Sequence, residues 1–130
     1  ILPPPYSSYQ CLHLTSTRFD DPVCLELIAQ HARVVSIHGC KGDAPEVLLG
    51  GLDYALKETL ADSLRVAGVP VRTEGHAFPG EHPRNICNRG ASGKGVQLEF
   101  SDALRNIEID LLMTAARAIQ TTLQSIDGAS

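Results

Sequence analysis

Residues 96–100, Val-Gln-Leu-Glu-Phe, constrain the fold of this chain more than any other stretch. Side chains alternate across a strand, so Val96, Leu98 and Phe100 share one face while Gln97 and Glu99 take the other. The apolar face demands a hydrophobic layer. The second face sets a carboxylate on the sheet, where burial costs several kcal/mol or raises the pKa unless a cleft or a partner receives it. A glutamate held in such a cleft is suited to act as a general base in hydrolysis. An edge strand whose second face is wet would show the same alternation.

The layer that covers the apolar face is visible elsewhere. Leu52, Leu56, Leu60 and Leu64 recur every four residues, the stripe of a helix that Gly68 ends. Ser101 is a good cap and Asp102 a good first-turn residue for a last helix. The stripe of that helix runs Leu104, Ile107, Leu111, Ala115, Ile119, Leu123 and Ile126. Asp21 followed by Pro22 predicts the start of an earlier helix that runs through Leu25, Leu27, Ile28 and Ala32.

Strand-like runs separate these helices: Cys11–Thr15, Arg33–Ile37, Val47–Leu49, Val69–Arg72 and the 96–100 segment. The β-branched run Arg33–Ile37 lacks alternation and predicts a strand covered on both faces. Residues 1–9, with three consecutive prolines, predict an irregular segment. Together the pattern predicts a single α/β domain over residues 1–130, a mixed sheet flanked by helices. At 130 residues such a domain buries roughly two-thirds of its unfolded surface.

Charge and hydropathy remove some function classes. The net charge of −4 argues against a general nucleic-acid binder, whose affinity comes from a basic face. No apolar run approaches the roughly 20 residues of a membrane span, so a soluble protein is expected, and no signal-peptide pattern is present. Compartment is not legible. Cys11, Cys24, Cys40 and Cys87 lie far apart without a C-x-x-C pair and read as reduced, semi-buried thiols.

Three features carry chemistry. His38 follows a strand directly, at the end where open α/β sheets gather ligands. Glu99 is the second. The third is the long loop 73–95, since the stretch from His82 to Leu98 has no acid but carries Arg84, Arg89 and Lys94. A local basic charge in an acidic chain suits an anionic substrate, and an Asn beside an Arg, as in Asn88-Arg89, can hold a carboxylate. A solvated surface loop would look alike. Gly90-Ala91-Ser92-Gly93-Lys94-Gly95 lacks the Ser or Thr and the helix of a phosphate loop, and no H-E-x-x-H is present. A Cys40–His38 nucleophile would need a strand that continues through Gly39, which is expected to break it.

Six segments in order resemble the phage-type poly-γ-glutamate hydrolase family. They are Leu12-His13-Leu14-Thr15-Ser16, Phe19-Asp20-Asp21-Pro22, Ser36-Ile37-His38-Gly39, Gly50-Gly51, Asn85-Ile86-Cys87-Asn88-Arg89 and Gly95-Val96-Gln97-Leu98-Glu99. The resemblance spans about Tyr9 to Arg105. It implies a zinc hydrolase of carboxypeptidase-like α/β fold that cuts the γ-glutamyl amide bonds of an anionic polymer. It also implies that His38 is a zinc ligand and that Glu99 activates the attacking water. Asn88 and Arg89 match residues that meet a substrate carboxylate, and Arg84 and His13 are expected beside them. The family's other zinc ligands, a His and a Glu, lie in a His-Gly-Gly-x-Ile-Glu segment that residues 1–10 do not contain. The chain is therefore expected to be the C-terminal portion of a longer protein, with those ligands upstream. The alternative is an inactive relative, an anion- or peptide-binding module on the same fold.

Overall fold

The computed structural model describes residues 14–128. The elements run α1 (Pro22–Ala29), β1 (Val35–Cys40), β2 (Val47–Gly50), α2 (Tyr54–Val66), β3 (Val71–Arg72), a 3-10 turn at Ile86–Asn88, β4 (Val96–Ser101), α3 (Asp102–Asn106) and α4 (Ile109–Gly128). The expected strand from Cys11 starts outside the described residues, as do His13 and the proline-rich segment. No described helix is long and apolar enough to cross a membrane.

The strands form one mixed sheet in the order β1-β4-β2-β3. β4 pairs parallel with β1 and antiparallel with β2, while β2 and β3 run parallel. Val96, Leu98 and Phe100 of β4 and Val47 and Leu49 of β2 face the core. Leu56, Leu60, Ala61 and Leu64 of α2, Leu104 of α3, and Ala115 and Ile119 of α4 cover them. The fold is α/β, as the residue pattern predicts.

Local signals explain the element starts. Asp21 accepts from the Cys24 N–H at 2.8 Å and Pro22 opens α1. Asp53 accepts from Leu56 N–H at the head of α2. Ser101 uses its hydroxyl fully: it donates to Ala44 O and accepts from Glu46 N–H and Leu104 N–H. It thereby ends β4, caps α3 and ties down the loop after β1.

Four expectations are corrected. The helix from Pro22 stops at Ala29, short of Ala32, and buries no residue. β1 is not covered on both faces: among the described residues it pairs only with β4, and Ile37 is 61% exposed. Its β-branched run reflects strand preference rather than burial. Gly39 does not break β1, because Arg105 packs where a side chain would stand: a Cβ on Gly39 would lie 2.8 Å from the guanidinium carbon. Arg105 also donates from Nε to Phe100 O and from Nη2 to Cys40 O, stitching the ends of β4 and β1. Finally, the last helix is two. Ile107 N–H and Glu108 N–H share the Ala103 carbonyl, which closes α3 and leaves Ile107 72% exposed.

Candidate active site

Register builds the site. Across β1 and β4, Ser36 aligns with Gln97, His38 with Glu99 and Cys40 with Ser101. Across β4 and β2, Glu99 aligns with Leu48 and Gln97 with Gly50. Aligned residues point to the same side of a sheet, so His38 and Glu99 stand side by side on the face opposite the core. Both open into one cleft of about 500 Å³.

Loops rather than helices cover this face. Residues 14–17 form one wall, residues 77–80 another, and Asn85 and Gln97 lie at the base. The 77–80 segment presses onto the sheet because Gly50 has no side chain: a Cβ there would lie 2.5 Å from the carbonyl oxygens of Phe78 and Pro79. Gly51 N–H donates to Pro79 O at 2.8 Å. His76 locks the same loop. Its Nδ1 accepts from Phe78 N–H, so the proton sits on Nε2, which donates to Leu49 O at 2.8 Å. Both ring nitrogens are occupied by backbone, which removes His76 as a metal donor.

The electrostatics follow from burial. Glu99 is 6% exposed, and desolvation pushes its carboxyl above the usual carboxylate range, partly offset by the Arg105 guanidinium. Cys40, on the same face, has its thiol raised by burial and by the neighbouring Glu99. An activated nucleophile needs the opposite shift. So although β1 carries His38 and Cys40 to one side, Cys40 is a poor nucleophile. Burial pushes the Cys87 thiol up to about 11. Cys24, Cys40 and Cys87 are free thiols.

The basic loop is placed differently from the expectation. Asn88 is buried and all of its hydrogen-bonding capacity is taken by backbone. Its Nδ2 donates to Gly80 O and His82 O, and its Oδ1 accepts from Leu52 N–H and Gly95 N–H. It organises the loop and has nothing left for a substrate carboxylate. Arg89 donates from Nη1 to Phe19 O at 3.0 Å, on the segment that leads from the cleft wall. Arg84 is exposed, with its N–H given to His82 Nδ1. None of the three lines the cleft.

Asn85 and Gln97, neither of them a site residue expected from the sequence, line the cleft beside Glu99. Asn85 Nδ2 donates to Gln97 Oε1 at 3.0 Å. Strand alternation already put Gln97 beside Glu99. The missing signal was the turn that brings Asn85 to it.

A catalytic zinc ordinarily takes three protein ligands. Among the described residues no group of three His, Cys, Asp or Glu side chains is arranged to hold a metal ion. His38 and Glu99 alone do not complete such a site.

Comparison with known proteins places the chain in a family and its fold beside solved structures. The family model described as poly-gamma-glutamate hydrolase matches residues 5–124. The chain is 32% identical over 110 residues to UPF0714 protein YndL of Bacillus subtilis (strain 168), covering 83% of this chain and 44% of that protein. It is also 32% identical over 108 residues to the SPbeta prophage-derived UPF0714 protein YoqZ of the same organism, covering 82% and 39%. It thus spans less than half the length of these curated relatives. Among solved structures, a bacteriophage poly-gamma-glutamate hydrolase superposes with a TM-score of 0.84 at 34% identity, over 95% of this chain and 67% of that one. A zinc-free apo form of YndL gives 0.70 at 33% identity, over 76% and 50%.

Proposed function

The chain belongs to the poly-gamma-glutamate hydrolase family, and from that premise we propose that its cleft is part of a zinc-dependent site that cleaves γ-glutamyl amide bonds. The observation that carries the reading is the in-register pair His38 and Glu99 opening into one cleft. His38 supplies one metal ligand. Glu99 takes the proton of the attacking water, and its raised pKa suits that role, because a stronger base accepts the proton more readily. The remaining His and Glu ligands come from residues outside 14–128, a reading supported by relatives more than twice as long as the matched region.

The substrate is a polymer with a free carboxylate on each γ-linked unit. Arg84 and Arg89 sit on the basic loop beyond the cleft and receive carboxylates of flanking units. His13, which precedes Leu14 in the chain and lies outside the described residues, is assigned the same role. The incomplete donor set among the described residues favours a second reading, an anion-binding module without turnover.

Zinc titration and polymer cleavage separate the two, in this chain and in a longer form that carries the upstream family segment. The longer form should bind zinc and shorten poly-γ-glutamate. His38→Ala should lose the metal. Glu99→Gln should keep it and slow cleavage by about 10²–10⁴-fold. Full cleavage by Glu99→Gln would remove Glu99 from the chemistry, and binding of polymer without cleavage by the longer form would favour the module.

A further inference from the structure

Gln97 stands two residues from Glu99 on the same face of β4 and is 5% exposed. Which end of its carboxamide faces the cleft is settled by a chain of donors. The Cys87 N–H can only donate, and it donates to Asn85 Oδ1 at 3.1 Å. The other terminus of Asn85 is therefore its NH2 group, and the Gln97 atom that it meets at 3.0 Å must be the oxygen. That leaves Gln97 Nε2, with two N–H donors, as the unengaged end of a side chain that lines the cleft. Among the described residues no protein group accepts from it, and it is not among the fully enclosed polar atoms. A largely buried amide in a cleft wall, with a donor end that has no protein acceptor, points to a ligand oxygen.

We propose that Gln97 is a substrate-binding residue whose Nε2 donates to the free carboxylate of the glutamyl unit whose amide is cut at Glu99. The proposal rests on the γ-glutamyl reading of the site. Alternate residues on a strand are about 6.6 Å apart. Within one glutamyl unit the free carboxylate lies four bonds from the side-chain carbonyl carbon, roughly 5 Å when extended. A scissile carbonyl over Glu99 thus puts a carboxylate within reach of Gln97. A neutral donor also suits its neighbour. An arginine or lysine at this position would pair with Glu99 and hold its carboxylate in the weakly basic form, whereas an amide grips the substrate and leaves the base alone.

Gln97→Glu tests this closely. The variant keeps the shape and can still accept from Asn85, but turns the cleft-facing donor into an acceptor carrying charge. Binding of γ-linked tri-glutamate to the chain is followed by calorimetry, and the Gln97 side-chain NH2 signals by ¹⁵N–¹H NMR. The expected result is a shift of those signals in the unmutated chain and a Kd raised about 10–100-fold in Gln97→Glu. With the α-carboxylates of the ligand converted to amides, the variant should bind as the unmutated chain does. Equal tri-glutamate affinity in both proteins, or unmoved Gln97 signals while those around His38 and Glu99 shift, overturns the assignment and leaves the γ-glutamyl reading standing. A Gln97→Glu defect that persists with the amidated ligand overturns the carboxylate as the partner. No shift anywhere in the cleft, in this chain and in the longer form that carries the upstream segment, overturns the γ-glutamyl reading and the assignment together. If Gln97→Glu does not fold, the NH2 signals of the unmutated chain decide the question.

Discussion

Both faces of β4 are buried, and they are differently built. Val96, Leu98 and Phe100 are buried under helix side chains; Gln97, Glu99 and Ser101 are buried under loops. On the first face the covering atoms are apolar, and burial itself stabilises the fold. On the second, each polar group has to find a partner or bear the loss of water, and the three do so unequally. Ser101 is saturated, Gln97 is half-satisfied through Asn85, and Glu99 bears a raised pKa. Burial is therefore a poor guide to what a residue does. The identity of the covering atoms separates the stabilising face from the chemical one.

The widest gap between the faces should appear at Leu98, which is fully buried in the core. Leu98→Ala should cost about 2–5 kcal/mol in urea unfolding, from lost transfer energy plus the cavity left behind. A cost under about 1 kcal/mol would show that the helix layer collapses onto the gap and that the apolar face is less tightly packed than argued.

Ser101→Ala removes a single oxygen but orphans three backbone groups, Ala44 O and the N–H groups of Glu46 and Leu104. A loss of roughly 2 kcal/mol is expected, with helix α3 fraying first by hydrogen exchange. An unchanged exchange rate at Leu104 would mean that water replaces the hydroxyl and that the polar face is wetter than its burial suggests.

Glu99→Gln should move the other way. The pKa of Glu99 is raised in the folded state by desolvation, so above the ordinary value of 4.5 the folded chain holds its proton longer than the unfolded one. The stability this group contributes is fully present below that value and is lost as pH climbs through the raised one. In chelator-treated protein at pH 7, the variant should be more stable by about 1 kcal/mol, or roughly 3–5 °C in Tm. The gain should shrink as the pH falls through the raised pKa and be gone below 4.5. A variant less stable than the original at pH 7 would mean that the Glu99 carboxylate is held by favourable contacts, and the contrast between the faces would weaken.

Much of this was legible residue by residue. The alternation of 96–100 assigned both faces of β4. The Asp21-Pro22 start, the Ser101 cap and the stripe through Leu56, Leu60 and Leu64 depend on neighbours a few positions away. Such signals are local, and the sequence carries them directly. The ordered segments also sufficed to identify the family, and with it His38 and Glu99 as the pair to watch.

Other features depend on contacts between residues far apart in the chain, and these the sequence could not show. Gly39 looks like a strand breaker until Arg105, on another element, fills the space beside it. Asn88 looks like a substrate ligand until four backbone groups, three from its own long loop and one from the turn after β2, use it. Ile107 belongs to a helical stripe, but two N–H groups sharing one carbonyl end the helix at Asn106 and leave Ile107 outside the core. Gln97 reads as the plain polar partner of an alternating strand, and only the turn at Ile86–Asn88 orients its amide. The pattern of residue types thus determined which surfaces had to be covered and which residues could do chemistry. The tertiary structure decided which polar groups were already engaged, because hydrogen-bond capacity is finite and its claimants come from distant parts of the chain.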